Sequence, residues 1–211
     1  MNDLGLKEPV QKRSQASLNR LLNAGAKLLE ERGYIDFTIP ELSRRARVSP
    51  GLIYGRFESK DALFYAIHDR ELRRVHEEFG TITDPAHWEG CSLGQLLDGL
   101  VPEAADFIER HAPLFDVFLA RGAVDEVVQT RGAEFMGELN VELRDLLLTR
   151  RDEIGNPDPD RAATMACQLI LSAFVRRSHV ISAPSGAPTV GLPWREMIEE
   201  LPAVCRAYLL D

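Results

Sequence analysis

The sequence predicts an all-α fold of about nine helices, with a small N-terminal helix-turn-helix unit joined to a larger helical body. Apolar residues recur at three- and four-residue spacing along most of the 211 residues, and no stretch alternates as a strand would. Helix stops fall at Gly33, Pro113, the Gly-Asn-Pro-Asp-Pro run at 155–159 and the loop from Pro184 to Pro193. With 45% hydrophobic and 27% charged residues, the chain has ample material for a packed core and none of the bias of a disordered one. No repeat of fixed period and no low-complexity tract is present.

The elements follow in order. Leu18, Leu21, Leu22, Gly25, Leu28 and Leu29 place one close-packing stripe on a helix from about 14 to 32, which Gly33 ends in the left-handed conformation. Two short helices lie within 38–57. A longer helix starts at Ser59, its cap, and runs to about 78, with Asp61 at its positive end and Leu63, Ile67 and Leu72 facing inward. Residues 80–91 read as a loop. Apolar-periodic segments then span about 92–110, 113–120, 124–152, 158–181 and 194–210, with Asp158 or Asp160 opening the fourth. Pro102 and Pro202 fall inside expected helices and should kink or interrupt them.

The segment 38–57, TIPELSRRARVSPGLIYGRF, carries the functional signal. Thr38-Ile-Pro-Glu has the form of a capping box, in which the Thr38 hydroxyl caps a helix over about 39–46 and Glu41 reaches back. Pro40 sits in the first turn, where a missing N–H costs little. Ser49 caps a second short helix that begins at Pro50. Two helices so close in sequence must cross steeply, as in a helix-turn-helix. Leu42, Ala46, Val48, Ile53 and Phe57 can then share one small core, while Arg44, Arg45, Arg47, Tyr54, Arg56 and Lys60 stay outside it. Such side chains neutralise phosphates or reach base edges. An ordinary solvated basic face is the alternative.

Net charge is −8, yet residues 1–70 hold 12 Lys and Arg against 9 Asp and Glu, whereas 71–211 hold 13 against 24. That split suits a basic binding end on an acidic body. Lys12 and Arg13 could reach a neighbouring minor groove or simply be solvated.

Residues 15–75 resemble the DNA-binding domain of the tetracycline-repressor (TetR) family of bacterial transcription regulators. The resemblance rests on Ala24 to Gly33 with Tyr34, Phe37-Thr38, Leu42, Ala46, Val48-Ser49, Ile53-Tyr54, Phe57, Ser59-Lys60-Asp61 and Leu63. It implies a DNA-binding domain at 15–75, with the helix-turn-helix at 38–57, and a ligand-binding and dimerisation domain at 76–211. It further implies a homodimer on a palindromic double-stranded DNA operator. By position, Tyr54 and Lys60 match phosphate-holding residues, and Pro50, Gly51, Leu52, Gly55 and Arg56 would face the groove. With the caps Thr38 and Ser49 and the arginines 44, 45 and 47, these make up the candidate DNA-binding set. The sequence departs from the family pattern at Arg47, where glycine is common, and at Leu52, where a small or hydroxylated residue is common.

Self-association is expected through 158–181 and 194–210. Trp194, Met197, Ile198, Leu201, Val204, Cys205 and Tyr208 form one stripe, and Ala162, Ala163, Ala166, Leu169, Ile170 and Ala173 form another. Both could instead serve only the internal core. Candidate lining for a pocket holding a small lipophilic effector is Trp88, Phe107, Phe115, Phe118, Phe135, Met136, Met165 and Phe174, with Trp88 either a lid or a local packing residue. Repression with release by that effector is the expected function; a helical carrier or interaction protein without specific DNA binding is the alternative. The chain lacks G-x-S-x-G, G-x-x-x-x-G-K and G-x-G-x-x-G, so no enzyme is expected. Five scattered histidines and the distant Cys91, Cys167 and Cys205 suggest neither metal, cofactor nor disulfide framework. No apolar run reaches about 18 residues, and residues 1–15 lack the apolar stretch of a secretory signal, so a cytoplasmic protein without membrane contact is expected.

Overall fold

Helix α1 spans Lys7–Arg32, seven residues longer at its start than its apolar stripe requires, and Gly33 ends it at φ +68°. The computed structural model describes residues 7–181 and 192–211, with side chains described over 14–175 and 192–211. The side chains of Lys12, Arg13 and His179, and most of the expected 184–193 loop, lie outside that description.

Helices α2 (Ile39–Ala46) and α3 (Pro50–Tyr54) follow, then α4 (Lys60–Ile82), whose start Ser59 caps through its side chain. A 3-10 turn over Pro85–Trp88 leads into α5 (Leu93–Gly122). Then come α6 (Glu126–Leu148), a second 3-10 turn (Arg151–Glu153), α7 (Pro159–Ile181) and α8 (Trp194–Leu210). The described residues hold eight α-helices and no strand. The count falls one short of nine because the segments expected at 92–110 and 113–120 form one helix.

That fusion has a physical reason. Proline inside a helix removes one donor and costs about 3 kcal/mol. Here Phe107, Leu114 and Phe118 continue one buried stripe across Pro113, and each such side chain contributes about 1.5–3 kcal/mol on burial. Burial wins, and α5 runs through both Pro102 and Pro113 as α8 runs through Pro202. Ser92 and Gln95 form a reciprocal capping box at the start of α5. Asp158 opens α7, its carboxylate accepting the Arg161 amide at 3.1 Å.

Two buried clusters hold the molecule together. The N-terminal one gathers Leu21, Leu28, Phe37, Leu42, Ile53, Phe64 and Ile67, and it takes in Leu114, Phe118 and Val128 from α5 and α6. The second fills the body around Phe79, Leu97, Phe107, Leu143, Cys167 and Cys205. Helix α4 supplies residues to both, and Leu72 and Phe115 touch both. The three cysteines are free. Burial, with Cys205 beside it, pushes the Cys167 thiol up to about 12, and burial pushes Cys205 up to about 11, so both are inert packing groups.

Candidate nucleic-acid interface and the cavity behind it

The turn between α2 and α3 is set by Arg47, which takes φ 55° and ψ 47°. It is the one non-glycine residue with positive φ among those described. The Ser43 carbonyl accepts from Val48 at 3.2 Å, and the Ser43 hydroxyl donates to the Val48 carbonyl at 2.6 Å, which closes the turn. Ser49 then caps α3 by accepting the Leu52 amide at 3.2 Å. Ile53 points into the N-terminal core, which leaves Pro50, Gly51, Tyr54 and Gly55 outward and Leu52 half-buried.

The expected capping box at Thr38 does not form: Thr38 makes no side-chain cap bond. Glu41 is drawn instead to Arg44 at 2.7 Å and Arg45 at 2.8 Å, two charge-assisted pairs that outcompete a neutral amide. Those arginines, Arg44 first, hold the Glu41 carboxyl down to about 2.

The candidate DNA-contact residues differ in engagement. Arg45 also bonds Glu31 at 2.6 Å. The Arg56 guanidinium donates to the Ser14 hydroxyl at 2.6 Å and its carbonyl at 3.3 Å, which fastens α3 to α1. Lys60 turns inward, donating to the carbonyls of Tyr34 at 2.7 Å and Ile35 at 3.3 Å with its ammonium 4.3 Å from the Tyr34 ring centroid. Burial pulls its pKa below the ordinary lysine value. Arg47 stands exposed, with no ion pair among the described residues, and Tyr54 is 60% exposed.

Behind this surface, Arg121 at the end of α5 ties head to body. It donates to Asp125 at 2.8 Å and to Asp61 at 3.1 Å, and lies 4.2 Å over the Tyr34 ring. Asp125 caps α6 by accepting the Val127 and Val128 amides, and it accepts the Tyr65 hydroxyl of α4 at 2.9 Å. Burial would raise the Asp125 pKa, but the Tyr65 hydroxyl, the Val128 amide and Arg121 outweigh it and leave it lowered. Tyr34 is pushed up to about 12, first by burial and then by its bond to the Asp61 carboxylate.

Beside that link lies a cavity of about 360 Å³ between α4, α5, α6 and α7, at the small end of the range for small-molecule sites, about 300–1,000 Å³. Phe115, Phe118, Phe135, Met136 and Phe174 line it. Trp88, Phe107 and Met165 do not. Trp88 sits in the turn expected as loop, buried because its ring needs the bare Cα of Gly99 and its Nε1 donates to the Ile82 carbonyl at 2.7 Å. Phe107 is consumed by the body core against Phe79, and Met165 is 50% exposed on α7. Sequence reasoning missed the rest of the lining, including His68, Leu72, Gln129, Gly132, Ala133 and Leu171. The readable signal was the small pair Gly132-Ala133 within α6. Among the described residues no helix is long and apolar enough to cross a membrane, and no His, Cys, Asp and Glu cluster could hold a metal.

Residues 21–67 match the family described as bacterial regulatory proteins, tetR family. The A-factor receptor protein of Streptomyces griseus is 33% identical over 89 residues, covering 42% of this chain and 29% of that protein. The HTH-type transcriptional regulator HbdR of Aromatoleum sp. (strain CIB) is 40% identical over 85 residues, 36% of this chain and 37% of its own. The matches thus span about a third of the length of these curated relatives. A solved Mesorhizobium loti protein assigned to the TetR family superposes with a TM-score of 0.74 at 17% identity, over 93% of this chain and 96% of its own. Salmonella enterica GusR superposes at 0.63 with 20% identity, over 99% of both chains. These two likenesses concern the fold. The likeness to the tetR family of bacterial regulatory proteins is thus carried by residues 21–67 of this chain.

Proposed function

We propose that the chain is a ligand-responsive DNA-binding transcription regulator, a homodimeric repressor released from a palindromic operator by a small lipophilic effector. Residues 15–75 would read DNA and 76–211 would bind ligand and dimerise, with the protein acting in the cytoplasm. One observation carries the reading: a five-residue helix, α3, stands on the surface with its apolar side in the N-terminal core and its outer side bare between Arg44, Arg47 and Arg56. Such a helix fits the major groove and has little affinity alone, so two copies about 34–36 Å apart would be needed. The second copy finds exposed apolar residues on α7 and α8: Met165, Leu169, Val204 and Tyr208 are 37–50% exposed while their neighbours Ile170, Leu201 and Cys205 are buried.

An effector filling the cavity would press on the corner where Gly122, Ala123 and Val128 adjoin Arg121 and Asp125. Through Asp61 and Tyr65 that corner holds α4, and a tilt of α4 would carry the two reading helices out of register. A hundredfold loss of operator affinity requires about 2.7 kcal/mol of coupling, within the usual range.

The test is selection of bound DNA from a random pool, followed by salt titration on the winner. A regulator yields one palindrome preferred at least about a thousandfold over bulk DNA. A carrier without specific DNA binding is the second reading, favoured by the engagement of Arg45, Arg56 and Lys60 with the chain's own acceptors. It predicts weak binding without sequence choice.

A further inference from the structure

The cavity has one deeply buried polar side chain in its wall. His68 is 1% exposed and lines the cavity, and its Nδ1 has no hydrogen-bond partner. An Asp69 carboxylate oxygen lies 3.6 Å from it, too long for a hydrogen bond. The ring is packed between Phe64 and Phe118, its centroid 4.5 Å from that of Phe118. Most of the remaining lining is aliphatic or aromatic, from Leu72 and Phe115 to Leu139 and Phe174.

The charges around the ring decide what it can meet. Asp69 and Asp125 both act on it, and each is matched by an arginine: Arg131 donates to Asp69 at 2.7 Å, and Arg121 to Asp125 at 2.8 Å. No lysine or arginine is among the cavity-lining residues. The C-terminal end of α5 reaches the wall at Gly122 and carries partial negative charge. A carboxylate entering here would be desolvated without a counter-ion. A cation would lack an unpaired acid. Burial pulls the His68 pKa below its ordinary value, so the imidazole is neutral at physiological pH. The neutral ring has one N–H and one bare nitrogen, and the Asp69 carboxylate beside Nδ1 favours the proton there. The other nitrogen is left as an acceptor.

We infer that the cavity takes an uncharged, mostly apolar molecule bearing a hydroxyl, which donates a hydrogen bond to the His68 ring. The inference rests on reading the cavity as the effector site. It adds the charge and hydrogen-bonding class of the effector, which follows from the ring and its neighbours rather than from the cavity's size.

Calorimetric titration of the full chain with 1-decanol, decyl methyl ether and decanoate tests it. The three share one apolar tail and differ in offering a donor, only an acceptor, or a negative charge. Decanol should bind about tenfold tighter than the ether, and decanoate weaker than both. His68→Phe should erase the preference for decanol over the ether, while His68→Gln, which keeps an acceptor, should retain part of it. Equal binding of alcohol and ether to the unaltered chain overturns the inference while leaving the cavity a ligand site, as does tighter binding of decanoate. Failure of all three to bind overturns the effector-site reading itself, and the inference with it.

Discussion

Replacing Arg47 with glycine should make the protein more stable and weaken the DNA binding proposed above, two effects with separate physical origins. Arg47 holds the left-handed turn at φ 55°. A non-glycine residue there costs about 1–2 kcal/mol, whereas the extra freedom of glycine in the unfolded chain returns about 0.5–1 kcal/mol of that. The net gain is about 0.5–1 kcal/mol. For a chain of this size, that raises the melting temperature by about 1–4 °C. The guanidinium is also exposed and without an ion pair among the described residues, which makes it the cation best placed to meet a phosphate. Each phosphate contact contributes about 0.9 to the slope of log affinity against log salt. A dimer of Arg47→Gly chains should therefore show a slope shallower by about 1.8 on any DNA sequence. Arg47→Ala serves as the control, because it keeps the strained turn and loses the charge. Thermal unfolding by circular dichroism and fluorescence anisotropy from 50 to 300 mM salt read the two effects. A melting temperature that fails to rise for glycine would refute the strain argument, and an unchanged salt slope would remove Arg47 from the interface.

Gly99→Ala should destabilise the fold by about 1–3 kcal/mol through overpacking, since the new Cβ would lie 2.5 Å from the Trp88 ring; denaturant titration checks it, and a neutral result would mean the ring moves freely. Gly132→Leu adds a side chain where a Cβ meets nothing within 4 Å, on the cavity wall. It should leave operator binding within about twofold and abolish the response to cavity ligands, as anisotropy with and without decanol would report. Arg121→Leu removes the bonds to Asp61 and Asp125. It should cost about 1–3 kcal/mol and shrink the factor by which a bound ligand changes DNA affinity, both measurable on one preparation. Stability should also depend on pH below neutrality. Burial holds both His68 and His111 below the ordinary histidine value of 6.5, so the unfolded chain takes up protons that the folded chain refuses. Stability should thus be level above about pH 6.5 and fall as pH drops from there toward the depressed folded values. Urea unfolding at pH 7.5 and 5.5 would show the loss, and His68→Phe should remove part of it; a rise in stability on acidification would contradict the assignment.

Local chemistry was legible in the sequence, and negative space was not. Ser49 and Ser59 cap their helices because a cap depends only on a hydroxyl and the next three amides, all within four residues of chain. The Thr38 box failed for a reason equally local but competitive: Glu41 had arginines three and four residues on, and ion pairs won. Pro113 was misread as a stop because its local penalty is visible in one residue, while the burial that offsets it is spread over Phe107, Leu114 and Phe118 against other helices. The cavity was half-read. Phe115, Phe118, Phe135, Met136 and Phe174 announce apolar bulk, but Phe107 and Trp88 have the same composition and are used up in close packing. His68 is one of five scattered histidines in the sequence. Only the meeting of α4 with α5 and α6 gives its ring an empty space to face.

Helix α4 runs unbroken from Lys60 to Ile82, through the residue at which a reading unit and a body would be divided on sequence grounds. Its Leu63, Phe64 and Ile67 belong to one core, and its Val75, Phe79 and Ile82 to the other. Anyone grafting this reading unit onto a foreign body by splicing at residue 75 would cut a continuous rod and bring in unmatched partners for Leu114, Phe118 and Val128 as well. A workable hybrid must carry the whole of α4 together with the α5–α6 corner that grips it, or else recut both surfaces to fit.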